Sequence, residues 1–172
     1  MPMTPSLPDI ADRGLSVLFC GINPGLRAAA AGQHFAGRGN RFWRVLYLAG
    51  FTPEEFGPED GFRLPQLGYG LTTAVARPTA RADELSKAEI HDATAQFELK
   101  IRCYAPRYVA FLGKMALAEM TGKRDIAWGL QSVGFAGSHA WVLPNPSGLN
   151  RSFSLDALAT AYRELRVAAA LR

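Results

Sequence analysis

The sequence predicts an α/β protein, a three-layer α/β/α sandwich around a central, mainly parallel, four-stranded sheet. Four short apolar runs, at 17–22, 71–75, 108–112 and 140–143, are each followed within three residues by proline or glycine. The intervening segments space their apolar residues at helical intervals. Strands that alternate with helices pair in parallel and are covered on both faces. The length of 172 residues suits one domain able to bury roughly 70% of its unfolded surface.

The elements follow in order. Residues 1–14 read as an N-terminal tail and 15–172 as a single domain. The run at 17–22 is a buried strand, ended by Asn23-Pro24-Gly25 because proline lacks a donor and fixes its own φ. Small residues from 27 to 39 read as a loop. Phe42, Val45, Leu46 and Ala49 share a helical face, with Gly50 as the stop. Thr52-Pro53-Glu54-Glu55 opens a second, short helix. After the strand at 71–75 comes a polar loop, 77–85. Ser86 and Glu89 form a capping box, and the helix they open must end before Pro106. A third strand at 108–112 precedes a short helix at 114–120, and the fourth strand spans 140–143. Val133-Gly134-Phe135 is compatible with an additional short strand. Ser154 caps the last helix, whose Leu155, Leu158, Tyr162 and Leu165 face inward.

Composition narrows the function. Hydrophobic residues make up 48% and charged residues 20%, with no run near the roughly 20 apolar residues of a membrane span. The N-terminus lacks the basic start and apolar stretch of a signal peptide, so a cytoplasmic protein without membrane contact is expected. Two cysteines, Cys20 and Cys103, are too few for a disulfide framework or a four-cysteine cluster. They read as buried thiols. The formal charge is +4, and its distribution says more than its size. From Arg13 to Pro53 there are five arginines and no acid, and from Ile126 to Leu155 the only formal charge is Arg151. Phosphate would meet no repulsion at either stretch.

Each acid-free stretch carries Asn-Pro at a strand exit: Asn23-Pro24 and Asn145-Pro146. Ligands of open α/β sheets sit outside the carboxyl ends of the strands, so the two exits predict one cleft with two lips. Five motifs stand in order: Gly21-Ile22-Asn23-Pro24-Gly25-Leu26, Gly39-Asn40-Arg41-Phe42-Trp43, Arg77-Pro78-Thr79, Leu112-Gly113-Lys114 and Leu143-Pro144-Asn145-Pro146-Ser147-Gly148-Leu149. In these, from about Leu15 to Arg166, the chain resembles the mismatch-specific uracil and thymine DNA glycosylases.

The resemblance implies a monofunctional DNA glycosylase that flips uracil opposite guanine, with thymine or damaged pyrimidines as further substrates, out of the duplex and hydrolyses its glycosidic bond. Its partner would be double-stranded DNA with a G:U or G:T mismatch; a monomer with neither cofactor nor metal is expected. Asn23 matches the residue that positions the attacking water. A carboxamide does not take up a proton near neutral pH, so it orients water without acting as base. The base pocket falls on Ile22, Gly25, Ala28, His34 and Phe35, with Phe35 stacked on the flipped base. For His34, contact with the base and a solvated loop position are both open. Gly148, Leu149, Asn150 and Arg151 match the wedge and phosphate contact: glycine permits close approach, leucine fills the vacated stack, and arginine reaches phosphate.

Ala28 and His34 are closer to the thymine glycosylases, and Thr73 and Asn150 depart from bacterial relatives that have lysine and serine there. Asp83, on the polar loop, is a candidate to activate the water, alongside the reading of a solvated loop carboxylate. The first motif has no lysine for a Schiff-base step, and the zinc-deaminase His-x-Glu and Cys-x-x-Cys strings are missing. A noncatalytic mismatch sensor with the same wedge is the alternative.

Overall fold

The computed structural model describes residues 7–171. Its sheet has the order β2-β1-β3-β5-β4, with β1 at Val17–Gly21, β2 at Tyr69–Thr73, β3 at Tyr108–Leu112, β4 at Gly129–Leu130 and β5 at His139–Leu143. All neighbouring pairs are parallel except β4 with β5. The helices are α1 (Leu26–Ala31), α2 (Phe42–Leu48), α3 (Lys87–Tyr104), α4 (Met115–Thr121) and α5 (Leu155–Ala170).

A strand covered on both faces sends alternate side chains into different cores. Val17, Phe19, Ala110, Leu112, Trp141 and Leu143 join α2 and α5 on one side. Leu18, Cys20, Val109, Phe111, Ala140 and Val142 join α3 and α4 on the other. The predicted three-layer sandwich is therefore the observed one.

The sheet has five strands, not the four expected. The extra strand, β4, is two residues long, with Leu130 exposed, and is held by pairing with Trp141 and Val142. So short and exposed an edge has no alternation to announce it. The segment at 133–135 adds no strand: Phe135 bridges only to Ser138 around Ala136 and Gly137, both at positive φ. Where a loop is expected at 27–39, the chain forms α1 and stops at Gly32, φ 66°. The short helix expected from Thr52 is replaced by bends, and 3₁₀ turns follow at Pro58–Arg63 and Pro65–Leu67, each with proline at its start.

Both predicted caps form. Glu89 N donates to Ser86 Oγ at 3.1 Å and Ser86 N to Glu89 Oε1 at 3.3 Å, while Ala157 N donates to Ser154 Oγ at 3.1 Å. Before β1, Ile10 exchanges two backbone hydrogen bonds with Leu71, at 2.9 and 2.7 Å. The Asp9 carboxylate accepts from Thr72 Oγ1 at 2.7 Å and Tyr104 OH at 3.1 Å and lies 3.1 Å from Lys100 Nζ. Among the described residues no helix is long and apolar enough to cross a membrane.

The chain leaves β1 for β2 on one side and returns to β3 on the other. A doubly wound sheet opens its crevice beyond the carboxyl ends of the strands at such a reversal.

Candidate functional site

A cleft of about 820 Å³ lies at that reversal, bordered by Asn23 after β1 and by Asn145 after β5. The two Asn-Pro exits thus face one another across a single space.

On the first lip, Asn23 Nδ2 donates to Arg77 O and to Thr79 Oγ1, both at 2.8 Å. Thr79 Oγ1 in turn donates to Arg81 O at 2.7 Å, and Thr79 N to Pro24 O at 3.1 Å. The loop after β2 is thereby bound to the turn after β1. Arg77 is braced by the Glu89 carboxylate, whose pKa its guanidinium draws down to about 2. With both amide hydrogens used, Asn23 Oδ1 accepts no hydrogen bond among the described residues, so it is the atom left to receive one.

Behind this lip, α1 buries Ala28 in the cleft wall. His34 is 2% exposed, which removes the solvated alternative. Its Nε2 lies 2.7 Å from Pro8 O, and a carbonyl can only accept, so Nε2 carries the proton and Nδ1 is unprotonated. Burial holds the His34 pKa below its ordinary 6.5, and the ring is neutral. Trp43 Nε1 donates to the His34 carbonyl at 3.0 Å. Phe35, at φ 57°, stacks on Phe42 with centroids 4.0 Å apart and planes 24° from parallel, and it borders the cleft while half-buried. One ring face therefore belongs to the core. A ring so held offers a flat apolar surface.

On the second lip, Ser147, Gly148, Leu149 and Asn150 border the cleft, and Leu149 is 72% exposed. A Cβ on Gly148 would stand 2.7 Å from Gly39 O, so only glycine lets the two lips approach this closely. Arg151 is exposed on the continuation of this loop, outside the cleft lining. Asp83 borders the cleft at its rim, 2.7 Å from Arg81 in an ion pair whose partners are both 64% exposed. Ile22 and Gly25 complete the lining on the first side.

Sequence reading overlooked the residues that hold these in place. Thr79 and the Arg77 carbonyl aim Asn23, the Pro8 carbonyl fixes His34, and Arg41 donates to carbonyls across the second lip. The motifs containing Arg41, Arg77 and Thr79 were visible, but backbone acceptors leave no residue-type signature. Cys20 is buried, with its thiol pKa pushed up by desolvation, whereas Cys103 is exposed and not the buried thiol expected. Among the described residues no cluster of three or more His, Cys, Asp or Glu is placed to hold a metal ion.

A fixed hydrogen-bond acceptor, a flat aromatic surface and an exposed apolar tip therefore share one cleft. Comparison with known proteins agrees with this architecture. The model of the uracil DNA glycosylase superfamily matches residues 8–166. A solution NMR structure from Methanosarcina acetivorans, named as a candidate uracil DNA glycosylase, superposes with a TM-score of 0.59 at 22% identity. The match covers 95% of this chain and 98% of that one.

Proposed function

Because the chain belongs to the uracil DNA glycosylase superfamily, we propose that it is a monofunctional, mismatch-specific glycosylase, with residues 15–172 as one catalytic domain. It excises uracil opposite guanine, with thymine and damaged pyrimidines as further substrates. The observation that carries this reading is the placement of Asn23 and Leu149 on opposite lips of one cleft.

Extrusion of a base costs a few kcal/mol, least at a mismatch. Leu149 enters the stack as the target leaves it, and Arg151 contacts phosphate beside it. The flipped pyrimidine lies against the free face of Phe35, among Ala28, His34 and the backbone of 22–26. Asn23 Oδ1 accepts a hydrogen bond from a water and aims its oxygen at C1′. As the C1′–N1 bond breaks, its electron pair leaves with the pyrimidine, whose charge the backbone N–H groups stabilise. The water oxygen bonds to C1′ and gives up a proton, which Asp83 accepts once DNA displaces Arg81 from it.

The test is single-turnover cleavage of duplexes with U·G, T·G or U·A and of single-stranded uracil, all with chelator present. Cleavage fastest on U·G is expected. Binding of mismatched DNA without cleavage of any substrate would leave a sensor instead. Asp83→Asn is expected to lower the U·G rate by about a hundredfold, and a wild-type rate would remove Asp83 from the chemistry.

A further inference from the structure

Leu149 stands at the tip of a tight turn, closed by Asn150 N donating to Ser147 O at 3.0 Å. With so exposed a side chain, packing does nothing to order this tip, and its conformation must come from the backbone. One cation gathers four of the carbonyls around it. Arg41, which precedes α2, donates from Nη2 to Ser147 O at 3.0 Å and to Asn150 O at 2.8 Å. The two carbonyls are those that flank Gly148 and Leu149. Its Nη1 donates to Phe153 O at 2.7 Å and its Nε to Pro146 O at 3.3 Å, and the backbone N of Arg41 reaches the same Pro146 O at 3.0 Å.

A guanidinium is a rigid fork of five donors, so it can gather several carbonyls in one plane, which an ammonium cannot. Among the described residues it forms no ion pair with a carboxylate, and all of its side-chain hydrogen bonds go to this loop. The Gly39–Gly148 approach buttresses the same turn from the same segment. From the other side, Asn150 Nδ2 donates to Asn145 O and Ser147 N to Asn145 Oδ1, both at 2.9 Å.

We infer that Arg41 is a positioning residue for base extrusion, holding the 147–150 turn in its inserting conformation before DNA arrives. A preformed turn enters the stack without first being ordered, so the binding energy is left for unstacking the target. The inference rests on the glycosylase reading above, and it locates that reading's wedge in a hydrogen-bonded frame rather than in the leucine alone.

The experiment compares wild type, Arg41→Lys and Leu149→Ala on uracil in a U·G duplex and on uracil already unpaired in a single strand. Thermal unfolding and hydrogen exchange at the Asn150 amide are measured on each protein. Arg41→Lys keeps the charge and loses the fork. It is expected to slow U·G cleavage on the order of tenfold, leave the unpaired substrate close to wild type, and speed Asn150 exchange while the protein remains folded.

A wild-type rate on U·G, or equal slowing on both substrates, would overturn the role of Arg41. If Leu149→Ala loses the U·G duplex selectively and Arg41→Lys does not, the glycosylase reading stands and this inference falls. If the wild type cleaves nothing, that reading fails, and unchanged Asn150 exchange in Arg41→Lys would also refute the frame. If Arg41→Lys does not fold, Arg41→Gln replaces it. Failure of both to fold would make Arg41 a residue of global stability and overturn the inference.

Discussion

Asn23 can be oriented only one way. The Arg77 carbonyl accepts and never donates, so the amide nitrogen must face it and the oxygen must face away. Asn23→Ala should keep DNA affinity near wild type and lower the single-turnover rate on U·G by about a hundredfold. Measuring binding and cleavage on one duplex checks both halves. Ala28 is buried at 4% exposure in α1 and borders the cleft. If this wall faces the 5-position, Ala28→Ser narrows it, and the ratio of T·G to U·G cleavage should fall about tenfold. An unchanged ratio would place Ala28 elsewhere around the base.

Elements differed in how plainly the sequence declared them. The Ser86–Glu89 box and the Ser154 cap are local, since donor and acceptor lie three residues apart, and both were legible. The α1 helix was not. It spans six residues, mostly alanine, too short to show a period, and it is held by burial of Ala28 and Ala29. The turn after β5 illustrates how an element depends on a remote one. Gly148→Ala would drive a Cβ against the fixed carbonyl of Gly39 rather than against a movable side chain. The expected cost is about 1–3 kcal/mol, read as a lower urea midpoint at unchanged slope, together with slower cleavage of U·G than of unpaired uracil.

Across the whole molecule, stability is linked to pH through His34. Its folded pKa lies below the ordinary 6.5 because burial disfavours the charged ring. The unfolded chain therefore binds the proton more readily. This contribution is complete above 6.5 and is lost as pH falls from there toward the folded pKa. The urea midpoint should drop between about pH 7.5 and about pH 5.5 more steeply in wild type than in His34→Asn. Equal slopes would show that other groups set the dependence. The order of residues was enough to set the alternation of strands and helices, because burial on both faces demands continuous apolar runs, and to end two strands on the same side in rigid Asn-Pro turns. The packed fold supplied the rest. It paired β4 to the edge, buried His34 beneath Pro8, aimed Asn23 from Arg77 and Thr79, and tied Arg41 to a loop 106 positions away. The acceptors in these contacts are mostly backbone carbonyls. Every residue has one, so their use is set by where the fold brings the chain and leaves no mark in the order of side chains.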